Sequence, residues 1–191
     1  MVRYLPQPER KPFLHYLKRT LDKGLNSGME NVYIVDISTN SDYCRHILGN
    51  ENEIAIPETV SKEIEAQEDD SLSMFHNHPN STIPSKNDYI MFFKYAPIIN
   101  MAVCGHVGNL YFMRKSDRFY SGTKERLSDM LSALEKRFGK LLLAHLVSNG
   151  YNWEQFKVGN ETFKQEYARM AMDTLFDELG QCGFSYYRER D

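Results

Sequence analysis

One segment constrains this chain more than any other: Phe75-His-Asn-His-Pro-Asn-Ser-Thr-Ile-Pro-Ser-Lys-Asn-Asp88. Leu72 to His78 reads as a strand, and Pro79 stops it because proline has no N–H to give to a ladder. Side chains two apart on a strand share a face, so His76 and His78 present two imidazoles side by side. Asn80 to Pro84 is a loop. Ser85 then opens a helix running to Tyr95, with Ile90, Met91, Phe92 and Phe93 as its buried candidates, and Asp88 lies in its first turn. A carboxylate there faces back toward the end of the strand. Ser85-x-x-Asp88 is also the spacing of a capping box, in which serine and acid satisfy the open N–H groups of a helix start. The two roles are compatible.

Two imidazole nitrogens and one carboxylate oxygen make the three-ligand set of a catalytic zinc, which leaves a fourth position open. The expected metal ligands are therefore His76, His78 and Asp88, holding one Zn2+ per chain. Zinc in such a site polarises a carbonyl and lowers the pKa of water. A lone His-x-His is commonly polar surface, and a lone Ser-x-x-Asp is commonly a cap. Both within one short loop are far more specific. The other histidines carry less. His15, His46 and His106 read as helix-surface or loop residues, and His145, on an apolar helical face, reads as a core or partner contact. The chain holds no phosphate-cradling glycine loop, and no serine or cysteine nucleophile has recognisable local context.

The remaining pattern places this segment in an α/β domain. Phe13, Leu14, Leu17, Leu21 and Leu25 recur at helical spacing behind Pro12, and Gly24 and Gly28 favour the end of that helix. Val32 to Ile37 reads as a strand, with short strands expected around Arg45 to Leu48 and Glu53 to Ile56. Thr59 to Gln67 has helical character. Ile98 to Cys104 and Leu110 to Arg114 read as strands joined by a hairpin turn at Gly105–Asn109. Beyond Lys115 strand signals give way to helical periodicity, from Leu127 to His145 and from Phe163 to Leu179. The expected division is an α/β domain at 1–117 and a helical extension at 118–191. The apolar stripes of that extension need burial, against the domain, a second copy or a partner.

Charge and cysteine usage narrow the function classes. A formal net charge of −3 and a pI near 6.1 argue against a dedicated nucleic-acid binder, which carries a basic surplus. No stretch is long and apolar enough to span a bilayer, and the N-terminus has no apolar signal region. Cys44, Cys104 and Cys182 are scattered and odd in number, which points to reduced thiols and a cytoplasmic setting.

His76-Asn-His78-Pro79 followed by Ser85-Lys-Asn-Asp88 resembles the metal motif of the JAMM (JAB/MPN) metallopeptidase family, in its prokaryotic and phage-associated branch, which includes RadC-type proteins. Six residues separate His78 from Ser85, one fewer than the commonest family spacing. The resemblance covers roughly residues 10 to 115. It implies a mixed, curved β-sheet flanked by helices, one zinc held by both histidines and the aspartate, and a serine, here Ser85, that helps hold an oxyanion. It also implies an upstream glutamate as general base. Glu30, directly before the strand that follows the first helix, occupies that place, with Glu51, Glu53 and Glu58 as competitors. The implied activity is hydrolysis of a peptide or isopeptide bond in a protein or peptide substrate, with a ubiquitin-like tail as one candidate. A non-catalytic scaffold module and a RadC-like role in DNA metabolism are the alternatives.

Overall fold

The computed structural model describes residues 5–38, 42–51, 53–79, 84–106, 108, 110–115 and 136, with 184–189 as backbone. The chain divides into two units, Met1–Ser116 with Phe184–Asp191, and Asp117–Gly183. Of the helical readings at Leu127–His145 and Phe163–Leu179, only Lys136, which is helical, falls among the described residues.

The first unit is α/β. Its elements are α1 (Gln7–Ser27), β1 (Asn31–Asp36), β2 (Cys44–Leu48), α2 (Glu58–Glu65), β3 (Leu72–His78), α3 (Lys86–Lys94), β4 (Ile98–Gly105), β5 (Leu110–Lys115) and β6 (Phe184–Glu189). The strands form one mixed sheet in the order β2-β1-β3-β4-β5-β6. β3 and β4 pair in parallel and every other neighbouring pair is antiparallel. Among the described residues, no helix is long and apolar enough to cross a membrane.

Helices cover both faces of the sheet, and the strands read accordingly: every residue of β3 is buried. On one face α1 lays Phe13 against Phe75 and Phe112, with ring centroids 4.8 and 5.3 Å apart. Tyr33, Val35, Ala102 and Cys104 complete that core. On the other face α3 brings Phe92 under the Lys115 ammonium, and α2 meets α3 where the Ser61 hydroxyl bonds the Tyr95 hydroxyl at 2.9 Å. Lys115 itself is buried, and it is satisfied by donating to the Tyr95 carbonyl at 2.6 Å.

Several elements differ from the sequence reading. α1 starts at Gln7 rather than at Pro12. Pro8 falls in the first turn, where its missing N–H is no loss, and Pro12 is carried inside the helix. Gly28 ends α1 with φ of 69°, a left-handed cap that favours glycine. Glu53–Ile56 forms no strand, and Ile90 is exposed rather than buried. β6 corrects the expectation that no strand follows Lys115: the tail at 184–189 pairs antiparallel with β5, so the helical extension does not run unbroken to residue 191. Its signal is an aromatic-rich run behind Gly183, Phe184-Ser-Tyr-Tyr, too short to stand out beside long helical periodicities.

Phe13 is fully buried between two rings. Phe13→Ala should cost about 3–5 kcal/mol, the range for truncating a buried phenylalanine. Denaturant unfolding of the full chain checks this, and a loss under about 1 kcal/mol would mean that α1 does not seal the sheet.

Candidate metal centre

The register of β1 against β3 builds the centre. Val32 lies opposite His76, and residues directly opposite share a face. Glu30 lies two residues before Val32, just outside β1, and its carboxylate reaches His76. Glu30 is held there through its backbone: its N–H donates to the Asn50 carbonyl at 2.7 Å, and its carbonyl accepts from Gly49 N–H at 2.9 Å. The parallel pair β3/β4 requires a crossover, and α3 supplies it on the face to which His76 and His78 point. Asp88, in the first turn of α3, thereby comes down onto both imidazoles.

The distances are short and the side chains are buried. His76 Nε2 lies 3.4 Å from Glu30 Oε2, and His76 Nδ1 lies 3.4 Å from Asp88 Oδ1. His78 Nε2 lies 3.2 Å from Asp88 Oδ2. All four residues are at most 8% exposed. Glu30, His76 and His78 each bring one donor atom to a common point, all within 4.8 Å of one another, so this buried trio could hold a metal ion. Four titratable groups packed this closely in low dielectric are costly unless something compensates their charge.

His76 tests the fit. Both of its ring nitrogens are buried, and neither makes a hydrogen bond. Ligands bound to one tetrahedral zinc at 2.0–2.1 Å stand about 3.3 Å apart, close to the spacing of each His76 nitrogen from its carboxylate, and a single ion can take only one of those two nitrogens. An ion would satisfy one nitrogen of His76 and offset the acids. The trio includes Glu30 where the sequence reading has Asp88, because Glu30 and Asp88 face opposite nitrogens of the His76 ring. The structure thus brings together all the expected ligands and the expected base.

Asp88 is ionised. Burial opposes its charge, but the hydrogen bond with His78, the fields of His76 and His78 and the bond with Ser85 outweigh burial and hold the carboxyl well below its ordinary range. Ser85 forms the expected capping box: its hydroxyl accepts from Asp88 N–H at 3.2 Å, and Asp88 Oδ2 accepts from Ser85 N–H at 2.5 Å. One carboxylate therefore caps a helix and faces both histidines. Cys104 donates weakly to the His76 carbonyl at 3.4 Å, and burial pushes its thiol up to about 12. Such a thiol is a poor nucleophile.

The centre opens into a cavity of about 500 Å³. Ser85, His76, His78 and Asp88 line it, as do Ile54, Ile56, Ile90 and Met91, giving polar groups beside apolar walls. Ile54 and Ile56 are lining residues that the sequence reading does not assign to the site. Their alternation in Ile54-Ala-Ile56 was the available signal, since it turns two apolar side chains the same way. Of the competitors for the base, Glu53 also lines the cavity, while Glu58 begins α2 and Glu51 belongs to a neighbouring open pocket.

Ser85→Ala removes the cap of α3 and should cost about 1 kcal/mol of stability. Ser85→Asn, which can cap as well, should restore most of it. Equal unfolding midpoints for Ser85→Ala and the parent chain would show that the cap contributes nothing.

A comparison of the chain with protein-family models finds no match, and a comparison with curated proteins finds none.

Proposed function

We propose that this chain is a zinc-dependent hydrolase of a peptide or isopeptide bond, similar in its site to JAMM metallopeptidases. The observation that carries the proposal is the buried cluster of Glu30, His76, His78 and Asp88 at the wall of a cavity, with no hydrogen bond to either nitrogen of His76. His76, His78 and Asp88 would hold the ion and Glu30 would serve as the base, the roles the motif implies; because the donors drawn together in the structure have Glu30 in place of Asp88, the variants below decide between the two acids. Bound zinc supplies a Lewis acid for the scissile carbonyl and makes water easier to deprotonate. Glu30 takes one proton from the attacking water as its oxygen bonds to the carbonyl carbon. The same carboxyl then delivers that proton to the leaving nitrogen as the C–N bond breaks. Ser85, held at the start of α3 on the cavity wall, donates to the oxyanion. The apolar walls at Ile54, Ile56, Ile90 and Met91 suit an extended protein tail, such as that of a ubiquitin-like protein.

Elemental analysis of the purified chain should find about one zinc per chain, and His76→Ala/His78→Ala should lose it. Metal retained by that double variant would remove the assignment. Ligand and base then fail differently. Glu30→Gln should keep its zinc and lose turnover, because an amide cannot accept the proton. Asp88→Asn should lose zinc affinity. Ser85→Ala should keep its zinc and slow turnover by roughly 10- to 1000-fold. Turnover is sought with a peptide mixture and with ubiquitin-like fusions. Loss of zinc in Glu30→Gln with retention in Asp88→Asn would exchange the roles of the two acids. Full activity in a zinc-free preparation would discard the mechanism.

A further inference from the structure

We infer that Asn77, the residue between the two histidines, is a positioning residue that holds Glu30 against the metal centre from the opposite face of the sheet; the inference rests on the reading of the site given above. Strand periodicity sends Asn77 away from the site, toward α1, and it is fully buried there. Its neighbour on that face, Phe75, packs into an aromatic core, where an amide has no place unless it is satisfied. Asn77 is satisfied completely. Its Oδ1 accepts from Asn31 N–H at 2.7 Å and from the Asn31 side-chain amide. Its Nδ2 donates to the Met29 carbonyl at 3.1 Å and faces His106 Nε2 at 3.0 Å. The two backbone contacts fall on Met29 and Asn31, the residues on either side of Glu30. One side chain thus fixes both peptide units that flank the base.

The surroundings lock Asn77 itself. Because Asn31 N–H must meet an oxygen and the Met29 carbonyl must meet an N–H, the orientation of the amide is determined. The second Nδ2 hydrogen then points at His106 Nε2, which has to be the acceptor. His106 is accordingly neutral with its proton on Nδ1, and burial lowers its pKa in the same direction. On the other side Gly24 of α1 packs against the amide. A Cβ there would clash with Asn77 Nδ2 and stand 2.8 Å from His106 Nε2. Asn31 also donates to the Thr20 carbonyl one helical turn earlier, at 3.2 Å, which ties the start of β1 to α1.

Asn77→Ala removes the clamp at its centre. It leaves the Met29 carbonyl and Asn31 N–H without partners, a defect that can prevent folding, and Gly24→Ala, which displaces the amide from the helix side, is the second variant. Two measurements on the full chain test the inference. The first needs no metal: amide exchange in the metal-free chain should accelerate about tenfold or more at Asn31 in either variant, as loss of a buried bond implies, while Ala102 in the centre of the sheet keeps its protection. Unchanged exchange at Asn31 in folded variants overturns the clamp. The second uses the visible absorption of bound Co2+ at one fixed pH. Glu30→Gln should alter the band, Gly24→Ala should alter it likewise, and the two combined should add nothing further. An unaltered band in Gly24→Ala, or changes that add, would show that the clamp does not act through Glu30. A parent chain that takes up no Co2+ would sink the metal reading instead, and exchange at Asn31 would still decide whether Asn77 holds the segment.

Discussion

The parallel pairing of β3 with β4 is the constraint on which the rest of this unit depends. Antiparallel strands can be joined by a tight turn, but a parallel pair needs a connection that travels the length of the sheet over one face. Here that connection is α3, and it covers the face to which His76 and His78 point. Pro79 ends β3 directly after the second histidine, so the chain leaves the sheet at the site, and α3 begins beside it. The first turn of the crossover helix therefore lies next to the strand end, and Asp88 has little choice but to meet the imidazoles. Antiparallel pairing of β1 on the other side of β3 brings Glu30, just before β1, to His76. The centre is thus a consequence of topology: β3 ends, and β1 and α3 begin, at one point.

Such a cluster stores a cost that the rest of the unit has to bear. Buried acids and imidazoles give up hydration, and burial alone would push Asp88 toward its neutral form. The histidines and Ser85 reverse that tendency. The capping box makes the compensation local, since the hydrogen bonds that start α3 also hold the Asp88 carboxylate in place. Helix initiation and site organisation share the same atoms. A loop of altered length between His78 and Ser85 is tolerable on these terms, because it is the cap and the sheet that set the position of Asp88.

Much of this was readable in the sequence for a specific reason. β3 was bounded by alternation and by Pro79, and its observed span, Leu72–His78, is the one expected. Ser85 and Asp88 announced the helix start, and α3 runs from Lys86 to Lys94 inside the expected Ser85–Tyr95. Where local chemistry was ambiguous, tertiary context decided. Pro12 looked like a helix start, yet Pro8 at the first turn begins α1 earlier and Phe13 secures it against the sheet. Glu53–Ile56 had strand-like alternation but pairs with no strand, and its isoleucines line the cavity. β6 has a partner only because β5 offers a free edge, which no window of sequence around residue 184 can reveal. Glu30 could be placed at a strand start, but only the packed structure brings its carboxylate to His76.

The period of two that puts both histidines on one face has a second consequence. The residue between them must face the other way, into whatever covers the back of the sheet. In this unit the back is the aromatic core under α1, and a hydrophobic side chain at position 77 would be the simplest occupant by solubility alone. Asparagine there requires four partners, and the chain supplies them from Met29, Asn31 and His106. The strand therefore works on both faces at once. It presents two imidazoles forward and, through the amide behind them, grips the segment that carries the opposing carboxylate. A metal site needs its donors held more tightly than loops usually hold them. Binding Glu30 through the same strand that bears His76 and His78 ties the spacing of carboxylate and imidazoles to one rigid element rather than to the relative motion of two.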